Sequence, residues 1–286
     1  MPALLELTKP RITQFVLLTA AAGFYVAATA GGGTVDLALL AHTLVGTALV
    51  AAGTNAFNQL RERDVDARME RTRGRPLPSG RVTPRAAAWF ASGIAGAGLA
   101  YLAVLVNLLT AGLAALTLVT YVALYTPLKR RTSLNTLVGA VPGALPIVGG
   151  WTAAGGSLDT AAAALFWILF LWQLPHFLAL SWIYRDDYRR GGLVMLSGDD
   201  PDGRRTARMV LLYALALVPV SLLPRQLGLA GNVYFVGALF LGLAYAGAGA
   251  VMTRGPTGSR AWRVFVTSIV YLPALLALLV LDRRPT

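Results

Sequence analysis

The sequence predicts an all-α polytopic membrane protein of about nine transmembrane helices, with its N-terminus on the cytoplasmic side. Three observations carry that prediction. Of 286 residues, 56% are hydrophobic and only 13% are charged, whereas an ordinary soluble domain carries about 25% charged residues. Charge-free stretches long enough to cross a bilayer recur along the chain. The basic residues also alternate between the joining segments, 22 of the 25 falling on one side. Such an excess marks cytoplasmic loops.

The elements follow in order. Residues 12–35 and 37–60 carry no charge and give helices over about 12–30 and 37–58. The next charge-free stretch, 86–128, has 43 residues. Because a helix needs about 20 residues to span the hydrocarbon core, this stretch holds two, at 86–106 and 108–126, hinged near Asn107. Five further stretches at 132–158, 160–184, 209–224, 226–253 and 264–281 give helices over 134–152, 160–182, 208–224, 232–252 and 263–281. The helix at 208–224 is the shortest. The 30 glycines, in runs such as "ASGIAGAGLA" and "GLAYAGAGA", let helices approach closely in lipid.

Composition narrows the function. The net charge of +12 does not read as a nucleic-acid footprint, because the arginines sit between apolar runs and suit loops facing an anionic leaflet. The chain has no cysteine, which excludes disulfides, thiolate metal sites and Cys nucleophiles. "MPALLELTKPRIT" lacks the plan of a cleaved signal or an Arg/Ser-rich transit peptide. The first apolar run is therefore expected to be a retained span, and the location a prokaryotic inner membrane. On the outer side the basic residues are only Arg225, Arg283 and Arg284. The chain reads as one domain, 1–286, with charged cytoplasmic loops at about 59–85 and 183–207.

Nine of the 13 carboxylates lie in those two loops. Asn58, Glu62 and Asp66 are spaced i, i+4, i+8. On a helix continuing past the membrane surface they share one face, about 6 Å apart per step. Like charges at that spacing repel, so the row favours a bound cation. Magnesium is commonly held by one or two carboxylates, waters and a substrate phosphate. Arg68, Arg71, Arg73 and Arg75 follow, with guanidinium forks that suit phosphate oxygens. The combination points to a magnesium–diphosphate site at the bilayer edge. The competing reading is a solvated, salt-bridged loop that only fixes topology.

The second loop, "LPHFLALSWIYRDDYRRGGLVMLS", closes the sixth span with Arg185, Asp186, Asp187, Tyr188, Arg189 and Arg190. Pro175 inside that span should kink it or free carbonyls. His176 beside it is an ionisable group in an apolar run; such groups mark function or pair with a neighbour. It is either functional or a satisfied core histidine, while His42 reads as structural. A third cluster, "YTPLKRRTSLN", supplies Lys129, Arg130 and Arg131, for membrane anchoring or for binding an anion.

"NQLRERDVDARMERTRGRPLPSG" resembles the first Asp-rich motif, Asn-Asp-x-x-Asp-x-x-x-Asp, of the UbiA-type intramembrane prenyltransferases. "LTKPRIT", "RTRGRPLPSG", "YTPLKRRTSLNTLVGAVPGALPIVGGW" and "LPHFLALSWIYRDDYRRGGLVML" look like the heme-farnesylating branch of that family, the protoheme IX farnesyltransferases or heme O synthases. The resemblance implies a UbiA-type bundle around a central cavity open to the cytoplasmic side and to lipid. It implies farnesyl transfer from farnesyl diphosphate to a vinyl group of heme B, with water adding, to give heme O and diphosphate, and it implies Mg2+. Heme O would pass to heme A synthase or to terminal oxidase assembly.

Carried over by position, Asn58, Glu62 and Asp66 take the metal and diphosphate positions, and Asp64 is a reserve acid off that face. Glu62 stands where the family pattern has Asp, and Gln59 where a second acid is frequent. In the second motif, Asp-x-x-x-Asp of the quinone-type relatives, Ile183 holds the first position and Asp187 the last. Asp186 and Asp187 remain as ligands there. Arg71, Arg75, Lys129, Arg130 and Arg185 are implied to grip the diphosphate. His176 and Tyr188 fall on the heme side, His176 as an axial ligand, a partner for the added water or a structural residue. Other acceptors within the family, a quinone precursor or chlorophyllide, would use the same first motif. A transporter would instead place its charges near the midplane.

Overall fold

The computed structural model describes residues 2–283, and Arg284 lies outside them. A short helix α1 (Ala3–Leu7) precedes α2 (Pro10–Ala28) and α3 (Leu37–Asp66). Asp36 caps α3 by accepting from the N–H groups of Ala38 and Leu39. With 30 residues, α3 is about 45 Å long against a hydrocarbon core of about 30 Å. Its last turns therefore project beyond the membrane and carry the Asn58–Asp66 row.

Helix α4 (Pro84–Leu105) opens on a Thr83 cap with Pro84 at its first position. Asn107 is the hinge that the sequence places there. Its Oδ1 accepts from Thr110 N at 2.8 Å, capping α5 (Leu108–Val119). Its Nδ2 donates to Thr152 O at 2.9 Å. A π-helical turn, Thr120–Tyr125, joins α5 to the single turn α6 (Thr126–Leu128), and π turns recur at functional sites. Then come α7 (Asn135–Ala153), α8 (Thr160–Ile183) and the short α9 (Arg185–Gly191). The chain ends in α10 (Arg204–Gln226), α11 (Asn232–Thr253) and α12 (Gly258–Leu281). Among the described residues nine helices, taking α5–α6 as one, are long and apolar enough to cross a membrane. Helix α10 starts five residues earlier than its charge-free run, because Arg204 and Arg205 follow the Gly203 turn, where Asp200 accepts from the N–H groups of Arg205 and Thr206.

Helix α3 packs on α4, α2 on α7, and α8 touches α7, α10 and α12. Large apolar side chains such as Val104, Leu108, Phe240 and Leu281 stay exposed on the outer surface, as lipid contact requires. The tightest crossing is α2 on α7. A Cβ on Gly150 would stand 1.9 Å from the carbonyl oxygen of Ala20, and one on Gly23 would stand 2.0 Å from that of Ile147. The neighbour in each case is backbone and cannot step aside. Gly150→Ala is expected to cost about 1–3 kcal/mol through overpacking, read as a lower unfolding temperature in detergent with helix content retained.

The charged loops gather at one end. Glu70 N donates to Asp187 Oδ1 at 2.8 Å, and Val194 N to Lys129 O at 2.7 Å. At the opposite end, Gly231 N donates to Asp282 O at 2.7 Å and Arg283 reaches Val26 O. The alternation read from the basic residues thus corresponds to two real faces of the bundle.

Candidate active site

Asn58, Glu62 and Asp66 line one face of α3 and are buried, at 1%, 7% and 1% exposure. A buried row of acids needs compensation, and each member has a cation of its own. Lys9 Nζ donates to Asn58 Oδ1 at 2.8 Å. Lys129 Nζ donates to Glu62 Oε1 at 2.8 Å. Arg75 Nη1 donates to both oxygens of Asp66, at 2.9 and 2.8 Å. The three cations come from three places: the turn before α2, the end of α6, and the loop after α3. Asn58 Nδ2 also donates to Thr126 Oγ1 at 3.2 Å, tying the row to α6.

Lys9 was not among the residues that the sequence marks for the site. It is the one non-glycine residue with positive φ (47°) among those described, and it precedes Pro10, which disfavours helical backbone there. Holding a side-chain-bearing residue in that region costs about 1–3 kcal/mol. The strained turn aims the Lys9 ammonium at Asn58. Burial, with the charges of Arg75 and Lys129, lowers its pKa to about 7, Glu62 and Asp66 offsetting part of the shift. Gln59, the next residue of α3, holds the same turn from below, donating to the carbonyls of Glu6 and Leu7.

Lys129 lies 4.4 Å above the Tyr125 ring. Burial pulls its pKa down, but Glu62, Tyr125 and Tyr121 outweigh that and hold it well above the usual lysine value. Tyr125, Phe177, Leu180, Tyr188, Met195 and Gly139 are among the residues lining a pocket of about 80 Å³ beside this pair. A Cβ on Gly139 would lie 2.5 Å from the Tyr125 ring, so the glycine sets where the phenol stands.

The second loop contributes differently from what its acids lead one to expect. Asp187 accepts from Glu70 N at 2.8 Å, Arg71 N at 3.4 Å and Arg190 at 3.0 Å. Both of its oxygens thus pin the first loop to α9. Those bonds outweigh burial and hold its pKa below the usual aspartate value. Asp186 is exposed, within 4 Å of Arg185 and Arg189. Asp186, Asp187, Arg71, Tyr184 and Arg190 are among the residues lining an open cleft of about 420 Å³. Arg71 stacks over Tyr184 and Tyr188, at 5.3 and 6.0 Å.

Arg130 is exposed and makes no side-chain bond among the described residues. Arg185 lies on Trp182 at 4.5 Å, a ring that packs toward Gly203 at the start of α10. Asp64 is 71% exposed and pairs with its neighbour Arg63. The structure gathers Asn58, Glu62, Asp66, Arg75 and Lys129, with Tyr188 at the adjoining pocket. It leaves Asp64, Arg130 and Arg185 outside that group. His176 sits on α8 against α12, its Nδ1 2.7 Å from Ser268 Oγ.

Among the described residues no group of three or more His, Cys, Asp or Glu side chains is placed to hold a metal. The row does not form an all-protein cage. It supplies hard oxygen donors from two carboxylates and one amide, with cations alongside. That donor set fits a magnesium ion whose remaining positions are filled by water and phosphate oxygens.

Residues 16–277 match the UbiA prenyltransferase family. The chain belongs to that family. Over nearly its whole length it is similar to proteins named protoheme IX farnesyltransferase. The one from Solibacter usitatus is 47% identical over 98% of both chains. The one from Salinibacter ruber is 48% identical over 97% of both, and that from Myxococcus xanthus 44% over 99% of this chain and 95% of the other. The fold matches a digeranylgeranylglyceryl phosphate synthase with a TM-score of 0.81 at 16% identity, covering 98% of this chain and 97% of that one. It also matches a UbiA homolog from Archaeoglobus fulgidus bound to GPP and Mg2+, with a TM-score of 0.70 at 18% identity, covering 97% and 99%.

Proposed function

We propose that this enzyme transfers the farnesyl group of farnesyl diphosphate to a vinyl group of heme B, with addition of water, giving heme O and diphosphate. The observation that carries the reading is the likeness, at 41–48% identity over most of the chain, to proteins named for protoheme IX farnesylation. The buried Asn58–Glu62–Asp66 row with its three cations supports it.

The step breaks the allylic C1–O bond of farnesyl diphosphate, and its electron pair leaves with the diphosphate. The vinyl π electrons form the new bond to C1. Water adds to the resulting carbocation and gives up a proton. Asn58, Glu62 and Asp66 would hold Mg2+, which supplies positive charge to the departing oxygen. Lys9, Arg75 and Lys129 then turn to the phosphate oxygens, a set of preorganised charges aimed where charge develops. Asp187 holds the first loop over the site, and Arg71 guards the cleft from the stack on Tyr184 and Tyr188. The apolar bundle keeps water from the allylic cation until the bond to carbon has formed.

Purified protein in detergent with Mg2+, heme B and farnesyl diphosphate should yield a heme adduct heavier by farnesyl plus water, read by mass spectrometry. No adduct, with diphosphate released once a quinone precursor or chlorophyllide replaces heme, would move the acceptor and keep the prenyltransferase.

The same reading puts the charged end in the cytoplasm of a prokaryotic cell, in its inner membrane, where the water-soluble diphosphate head arrives. The product would pass to heme A synthase or terminal oxidase assembly. A chain without cysteine tests the orientation directly. Ser79→Cys, in the first charged loop, should react with an impermeant thiol reagent only in inverted vesicles, and Ser157→Cys, at the other end, only in intact cells.

A further inference from the structure

We infer that His176 is the axial ligand for the iron of the porphyrin acceptor, binding through Nε2, with Ser268 as the residue that fixes its tautomer. The inference rests on the heme B reading above and names the group that receives that substrate.

The proton count decides which nitrogen is free. Ser268 Oγ stands next to the carbonyl of Phe265 and 2.7 Å from His176 Nδ1. A carbonyl has no proton to give, so the single hydroxyl proton of Ser268 lies on the Phe265 side. The proton between Ser268 Oγ and His176 must then belong to Nδ1. That leaves Nε2 with its lone pair. A neutral imidazole, anchored through one N–H and bare at the other nitrogen, is the form that ligates metals.

Nε2 is also open. It has no hydrogen-bond partner among the described residues, and it is absent from the four buried polar atoms that lack one (on Gln59, Thr206, Tyr271 and Arg283). A histidine kept only for packing would have no need of an accessible, unpartnered nitrogen.

The surroundings select the metal carrier. Among the described residues no other His, Cys, Asp or Glu is grouped with His176 as a metal site, so one nitrogen could not retain a bare ion. It suffices for iron that arrives already held by four porphyrin nitrogens. The ring is framed by flat apolar surfaces: Trp172 stacked at 5.4 Å, Phe265 at 4.9 Å and Phe177 edge-on at 5.2 Å. Trp262 extends that wall at 5.2 Å from Phe265. A ligating imidazole stands upright on a porphyrin, so Trp172 and Phe265, at 26° and 31° to the imidazole, hold its plane. Phe177, at 75° to it, is turned to lie along a porphyrin face. Phe177, one residue further along α8, lines the pocket that also holds Tyr125 and Tyr188, beside the Lys129–Glu62 pair. Iron held by His176 would bring the porphyrin edge, where the vinyl groups are, toward the carbon that leaves diphosphate.

The test is heme B titrated into the purified protein without farnesyl diphosphate, followed by absorption and electron paramagnetic resonance. Wild type should show iron bound to a single protein nitrogen. His176→Ala should lose that signature and bind heme about 10–100-fold more weakly, and added imidazole should restore the signature. Ser268→Ala should weaken heme binding about tenfold with the signature kept, as loss of an orienting partner does. Iron-free protoporphyrin should bind wild type and His176→Ala alike. An unchanged heme spectrum in His176→Ala, or a loss of porphyrin binding that does not depend on iron, overturns the assignment. His176→Gln, which keeps a polar side chain of similar length, guards against a misfolded alanine variant and is expected to lose the signature as well. Failure of wild type itself to bind heme B or to make the farnesyl adduct would instead overturn the acceptor reading.

Discussion

Asp66→Asn is expected to cut farnesyl transfer at least about a hundredfold, the scale of losing one preorganised charge at a site of developing charge. Asn has nearly the same shape, so the substitution removes charge and little volume. Asp66 is 1% exposed, and both of its oxygens sit on Arg75. Two consequences follow at once. The row loses half its carboxylate charge, and with it most of its attraction for a divalent ion. Arg75 loses the partner that parks it, and is free to grip diphosphate without the metal. The loss should therefore fall on kcat, with the KM for farnesyl diphosphate changing less. Steady-state kinetics at several Mg2+ concentrations checks this, and a defect cured by excess metal would mean weakened binding alone. Asp64→Asn, two residues away on the exposed face, should stay within twofold of wild type, as solvated surface charges generally do. Equal losses in the two variants would show that charge along the loop matters and the row does not.

The contrast between Asp66 and Asp64 was legible in the sequence, because it depends only on helical periodicity. Spacing of i, i+4, i+8 put Asn58, Glu62 and Asp66 on one face and Asp64 off it, and α3 runs unbroken to Asp66. Spans were legible for a related reason: burying unpaired charge in lipid is costly enough that charge-free length marks a helix. The partners of the row were not legible. Lys9 lies 49 residues from Asn58 and Lys129 lies 67 from Glu62, distances bridged only when α2, α3 and α6 pack. Lys9 further depends on a left-handed turn before Pro10, against the local preference, so the sequence shows it only as one basic residue within "LTKPRIT", with no place at the site. Arg130 and Arg185 fail for the opposite reason. Each belongs to a charged cluster by sequence, but Arg130 follows Lys129 in the turn after α6 and stays exposed, and Arg185 is taken up by the Trp182 ring. Asp187 kept its place near the cleft while its role moved from metal ligand toward anchoring the first loop. Free backbone N–H groups at Glu70 and Arg71 compete for its oxygens, and no motif records them.

Lys129→Ala should be among the most destabilising single substitutions at the charged end, at about 3–5 kcal/mol, because it strands a buried carboxylate. Side-chain exposures of 14% for Lys129 and 10% for Glu62 leave little water to take over. The pair persists across ordinary pH: the Lys129 pKa is raised, so its stabilising effect is complete below the free lysine value and fades only as pH climbs through the higher folded one. The double variant Lys129→Ala with Glu62→Gln separates pairing from packing. If the cost is an uncompensated charge, the second substitution should return most of the lost stability while activity stays abolished, measured by thermal unfolding in detergent beside the adduct assay. Recovery of neither would place the effect in the Lys129 contact with Tyr125. Magnesium gives a third arm. In wild type a lone ion must displace Lys9, Lys129 and Arg75 from the row and has nothing to offer them, whereas an ion arriving with diphosphate gives all three a new partner. Calorimetry should find weak Mg2+ binding in buffer and much tighter binding once inorganic diphosphate is present. In Lys129→Ala that difference should shrink, since Glu62 is then open to metal and one grip on the anion is gone.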